Sequence, residues 1–207
     1  MEIIGLLFSF GFVTPIVVLG FIAFYWRRTR GDDRVAVAWQ AYARRRRFTY
    51  SEPSGTWPNR TSPGIEWSED GNDYRIEARG AEAIATTRVV ARPAVAVLGE
   101  ILVTRASGEA GRKDGATPLG HRLVVWAHPA ALADRIFTSE VKRALLGFEP
   151  ASLFYRRGEV ALDWPGGEEN DARLDEARAV VRRIVRALAA THPAAPPCDS
   201  EPTTASI

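Results

Sequence analysis

Apolar and polar positions follow four patterns in turn along the chain. Ile3 to Trp26 is an unbroken apolar run without a formal charge, containing fifteen Leu, Ile, Val and Phe residues. A hydrocarbon core roughly 30 Å thick needs about 20 such residues in a helix. At about −0.4 kcal/mol each on the insertion scale, these fifteen sum to roughly −6 kcal/mol. The run starts at Met1-Glu2 with no preceding Lys or Arg, and no small-x-small site closes it. Both features argue against a cleaved leader. The pattern predicts a transmembrane anchor over 1–26. Gly5-x-x-x-Ser9 within it offers a small-x-x-x-small face for a homo-oligomer.

A second helical pattern covers 27–47. Val35, Trp39 and Tyr42 share one face at i, i+4, i+7, and Asp32 or Asp33 can cap the start. The segment carries eight Arg against two Asp, while the whole chain is only +2. Positive charge is therefore concentrated beside the apolar run. Arg27, Arg28, Arg30, Arg34 and the Arg44-Arg45-Arg46-Arg47 quartet are the candidate contacts to a membrane surface with anionic lipid headgroups. The same charges, by the positive-inside rule, predict a single-pass membrane protein with its N-terminus outside and its soluble domain cytoplasmic. The competing reading is that Trp39 and Tyr42 pack this helix on the domain while its arginines are solvated. Nucleic acid is disfavoured as a partner of the quartet, because the basic residues lie next to the apolar run.

From 48 to 192 the period shifts to two, with hairpins and short helices. Phe48 to Tyr50 reads as a short strand. Ile65 and Trp67, then Tyr74 and Ile76, flank Asp70-Gly71-Asn72-Asp73 and predict a hairpin. Strands are expected near 84–91 and 97–104, with 106–119 as a loop, and Leu123 to Trp126 as another strand. Pro129 opens a short helix, and Thr138 or Ser139 caps the next, ending near Gly147. Leu153-Phe154-Tyr155 and Val160, Leu162, Trp164 form a second hairpin around Arg157-Gly158. A helix from Asn170 or Asp171 to about Ala190 carries Leu174, Ala177, Val181, Ile184, Val185 and Leu188 on one stripe, with Arg173, Arg178, Arg182, Arg183 and Arg186 facing away. Residues 193–207 read as a disordered tail. The fold class is α+β: an N-terminal transmembrane helix, then a mostly antiparallel sheet packed against a long C-terminal helix.

Composition adds little chemistry. Only Lys113 and Lys142 are Lys among 27 basic residues, a bias that suits a bacterial, GC-rich source. Cys198 is the single cysteine, so no internal disulfide or thiolate cluster can form. His121 and His128 bracket a strand, which sets them more than about 20 Å apart, and no metal or cofactor is expected. Glu69, Asp70, Asp73, Glu168, Glu169 and Asp171 lie in turns or at a helix start, ordinary places for solvated acids. No phosphate loop or nucleophile elbow is present. The sequence names no catalytic or ligand-binding residue. It favours a membrane-tethered, non-enzymatic interaction or accessory domain with an unidentified protein partner. The alternatives are a lipid- or small-ligand-binding domain, with an apolar pocket between sheet and long helix, and an enzyme on membrane-derived substrates.

Overall fold

The computed structural model describes residues 15, 17–20, 33–55, 61–79 and 86–191. Helix α1 covers 33–46. Four strands follow, β1 Thr49–Ser51, β2 Gly64–Glu69, β3 Asn72–Arg79 and β4 Thr86–Arg92, then β5 Glu100–Arg105. A short 3₁₀ turn at Ala110–Arg112 leads to β6 Thr117–Leu119 and β7 Leu123–His128. Helices α2 Ala131–Ile136 and α3 Ser139–Phe148 precede β8 Ser152–Arg156 and β9 Glu159–Pro165, and α4 Asp171–Ala190 closes the domain. The strands form one nine-stranded sheet in the order β1-β2-β3-β4-β9-β8-β5-β7-β6. Every pairing in it is antiparallel.

The two hairpins form for the reason their turns imply. Asp70 and Gly71 have φ of 53° and 74°, and Arg157 and Gly158 have 53° and 73°. Two successive left-handed residues match the twist of the flanking strands, and glycine adopts the second without steric cost. Each turn then sets its register: Trp67 faces Tyr74 across the first hairpin, and Leu153 faces Leu162 across the second. Helix α3 starts where Thr138 accepts a hydrogen bond from the Val141 amide, and α4 where Asn170 accepts one from Ala172.

Register aligns residues into cross-strand rows that belong to one face or the other. Ile65, Ile76, Val89, Leu162, Leu153, Val103 and Val125 are successive partners along one row. All are buried, and they form the inner face of the sheet. The stripe of α4 from Leu174 to Leu188 is buried in the same core, with Trp39 and Tyr42 of α1 and Val141 and Leu145 of α3. α4 lies against β4 and β9, the middle of the sheet, and against α2 and α3.

Several expectations change. The segment 106–119 is not wholly irregular: it holds the 3₁₀ turn and β6, whose three residues are too few to show a period. β5 begins at Glu100 rather than near Val97, because Gly99 has φ of 138° and interrupts the extended chain. The transmembrane reading is not retained. No helix among the described residues is long and apolar enough to cross a membrane. The longest of them, α4, alternates its apolar stripe with Asp, Glu and Arg. Of the run Ile3 to Trp26, only 15 and 17–20 are described, as helix, and the remainder lies outside the described residues. The single-pass assignment, with its outside N-terminus and cytoplasmic domain, is therefore withdrawn. The tail 193–207 and the Gly5/Ser9 pattern also lie outside the described residues.

Leu162 sits in the middle of the sheet with no exposed surface. Leu162→Ala is expected to cost about 2–5 kcal/mol of unfolding free energy. Leu98→Ala, at a side chain 94% exposed, should stay within about 0.5 kcal/mol. Denaturant midpoints at equal slope measure both, and a Leu162→Ala loss as small as that of Leu98→Ala would contradict this core.

Candidate functional site

The basic segment singled out by sequence is drawn into the domain at two points. Arg45 pairs with Asp171, and Arg46 with Asp175, both on the first turns of α4. Trp39 Nε1 donates to the Glu168 carbonyl at 2.7 Å, and the Tyr42 hydroxyl donates to Asp175 Oδ1 at 2.7 Å. So α1 packs through the face that Val35, Trp39 and Tyr42 define. Arg34, Arg44 and Arg47 are exposed, while Arg27, Arg28 and Arg30 lie outside the described residues.

Sequence periodicity misassigned Arg178 and Arg182. Neither faces away. Arg178 lies 4.6 Å from the Phe48 ring centre and 4.9 Å from that of Trp67, and donates to Asp175 at 3.1 Å. Phe48 stacks on Trp67 at 4.8 Å, and Trp67 on Tyr74 at 5.1 Å. Arg182 pairs with Glu69 at 2.6 Å. A planar guanidinium is well suited to rest on indole and phenyl faces while pairing with a carboxylate. The helical period set these residues facing away from the stripe, whereas they lie at its rim. It could not show that the β2–β3 hairpin would reach that rim with aromatic rings and Glu69. Burial, then the hydrogen bond to Asp175, pushes the Tyr42 hydroxyl up to about 12. This cluster ties α1, α4 and the hairpin together, and its charged groups are engaged with one another.

A different arrangement occupies the opposite, outer face of the sheet. Strand pairing continues one outer row as Thr49, Glu66, Arg75, Val90, Ala161, Phe154, Leu102 and Trp126. The row is polar over β1, β2 and β3 and apolar from β4 to β7. Val90 and Ala161 are buried, and Phe154, Leu102 and Trp126 are half-buried. With strands about 4.8 Å apart, the apolar part extends over about 19 Å. Charges flank it on both sides. Arg92 pairs with Glu159 at 3.5 Å and Arg156 with Glu100 at 2.9 Å along one margin. On the other, Arg88 holds Asp163 through two bonds of 2.5 and 2.7 Å, and Ser152 Oγ donates to the same carboxylate at 3.0 Å. Arg88 and Asp163 are nearly buried, and the second bond plus the serine satisfy a pair that would otherwise be costly to desolvate. Lys113 reaches over the Trp126 ring at 3.8 Å.

At the polar end lies a depression of about 400 Å³ whose wall includes Thr49, Glu66, Ser68, Arg75, Val90 and Arg92. Arg75 pairs with Glu77 at 2.9 Å, yet its Nε is buried with no hydrogen-bond partner among the described residues. Asp73 accepts from Ser68 Oγ at 2.7 Å. The outer face thus joins a polar hollow to an apolar track. Where the sequence suggested an apolar pocket between sheet and long helix, the described side chains of α4 and of the inner sheet face are buried in one core. Sequence reasoning missed the outer row, though one signal was present. β5, β7, β8 and β9 carry consecutive apolar residues rather than strict alternation, the mark of a strand apolar on both faces. Among the described residues no group of three or more His, Cys, Asp and Glu is placed to hold a metal ion.

A scan of protein-family models and a search of curated proteins return no match to this chain. Among solved structures, it is similar to the crystal structure of the mycobacterial trehalose monomycolate transport factor A, TtfA. The TM-score is 0.56 at 15% identity, over 74% of this chain and 94% of that one. That likeness is one of fold: an antiparallel sheet with helices.

The Tyr42 hydroxyl gives a pH test of the cluster. Its folded value near 12 exceeds the unfolded value of about 10. Folding therefore favours the neutral phenol, and its stabilisation is complete below about pH 10 and lost as pH rises towards 12. Tyr42→Phe should flatten the fall in stability over that range, read from denaturant midpoints at stepped pH. An unchanged slope would contradict the burial of this hydroxyl against Asp175.

Proposed function

We propose that this domain is a lipid-binding accessory domain whose outer sheet face receives an acyl chain. The observation that carries the reading is the apolar row from Val90 to Trp126, set between two lines of mutually paired charges. The exposed members of the strip are Phe154, Leu102 and Trp126, with Arg88 5.0 Å from the Phe154 ring centre and Lys113 3.8 Å from that of Trp126. Each methylene removed from water contributes about 0.8 kcal/mol. Eight of them would give about 6 kcal/mol, an affinity in the tens of micromolar before the cost of immobilisation. The similarity of fold to TtfA, a trehalose monomycolate transport factor, is consistent with this reading. The charged side chains along the track are paired with each other rather than gathered at a nucleophile, which favours binding over catalysis.

The reading is tested by direct titration of dodecyl phosphate and dodecyl maltoside below their micelle concentrations. Leu102→Glu places a carboxylate in the middle of the track and should weaken both by about ten-fold, equivalent to about 1.4 kcal/mol, with the thermal midpoint retained. Glu140→Ala, on the far side of the molecule where Glu140 pairs with Arg183, should leave both unchanged. Equal affinity of the Leu102→Glu protein and the unaltered one would remove the outer face as the site.

A further inference from the structure

The order of side chains along the outer row suggests which head group the lipid carries. From the apolar end, the sequence of chemistry is hydrocarbon, cation, anion: Val90, then Arg75, then Glu66. Each step crosses one strand, about 4.8 Å. The two opposite charges do not cancel each other. Arg75 pairs instead with Glu77 at 2.9 Å and keeps an unpartnered, buried Nε at the hollow. Glu66 is exposed. Arg92 adds a second cation on the β4 side, held to Glu159 only at 3.5 Å and largely exposed. The other acid in the hollow, Asp73, is already engaged by Ser68.

Resting on the lipid-binding reading above, we infer that this site is the complement of a single-chain zwitterionic phospholipid, in which a phosphate follows the tail and an ammonium follows the phosphate. The tail follows the row from Val90 to Trp126 and touches Phe154, Leu102 and Trp126, the members that keep exposed surface. The phosphate oxygens accept from the guanidinium groups of Arg75 and Arg92, charge-assisted bonds of the stronger kind. The ammonium donates to the Glu66 carboxylate. Thr49 lies beyond Glu66 on β1, the edge strand, where the row meets solvent. A neutral sugar head would bring no charged acceptor to Arg75 and Arg92. A head with phosphate alone would leave Glu66 repelling its outer oxygens.

The test is titration of lauroyl lysophosphatidylethanolamine into the whole chain and into Arg75→Gln and Glu66→Gln, with circular dichroism melting as the folding control. Dodecyl phosphate, dodecyl maltoside and free phosphoethanolamine serve as comparisons. Both variants should bind the lysolipid about ten-fold more weakly. Glu66→Gln should bind dodecyl phosphate no less tightly than the unaltered chain, and dodecyl maltoside should be indifferent to either change. Phosphoethanolamine alone should bind far more weakly than the lysolipid. If both variants hold the lysolipid as tightly as the unaltered chain, or if phosphoethanolamine alone matches it, the head-group assignment is overturned while the acyl track stands. If no dodecyl or lauroyl compound binds at all, the track itself is lost, and with it the reading on which this inference depends.

Discussion

Side-chain alternation in a fixed antiparallel register is the constraint on which the rest of this structure depends. Because the period along each strand is two, one residue of slip would exchange the inner and outer faces of every neighbour. The hairpin turns at Asp70-Gly71 and Arg157-Gly158 prevent that slip, and the rows they set run across the sheet unbroken. One row, centred on Leu162, is sealed by α4, α1 and α3. The row that begins at Glu66 and ends at Trp126 comes from the same register and faces the other way. The outer track is thus a direct consequence of how the core is aligned.

The two charged systems have opposite functions in this scheme. On the helical side, Arg178 closes a stack of Phe48, Trp67 and Tyr74 and links it to Asp175 and Tyr42. That is an internal joint whose charged groups pair with one another, with Trp67 Nε1, Arg178 Nε and Glu69 Oε2 buried without a hydrogen-bond partner among the described residues. On the outer side, the hollow beside Arg75 is incompletely satisfied, and its charges are arranged in line with an apolar strip.

Much of this fold was legible in the sequence. Both hairpins, the cap at Thr138 and the α4 stripe follow from local rules, and Trp39 and Tyr42 face inward as their spacing implies. What could not be read is pairing between distant strands. Nothing in the order of elements shows that β9 would lie between β4 and β8, or β5 between β8 and β7. Without that order, Val90, Ala161, Phe154, Leu102 and Trp126 are five scattered residues. The arginines of α4 illustrate the same limit, since helical period gives a direction but not the Glu69 or Trp67 that fills it. The apolar N-terminal run misled in another way. Its composition alone suggested a membrane span, and the described helices supply none.

The most direct measurement of the central claim is amide chemical-shift mapping of the isotopically labelled chain during titration with lauroyl lysophosphatidylethanolamine. The account predicts perturbations along one line across the sheet, from Glu66 and Arg75 through Val90, Ala161, Phe154 and Leu102 to Trp126. The outward-facing residues of α1 and α4 should be unaffected. Perturbations confined to the helical face, or scattered without regard to the strand rows, would contradict it.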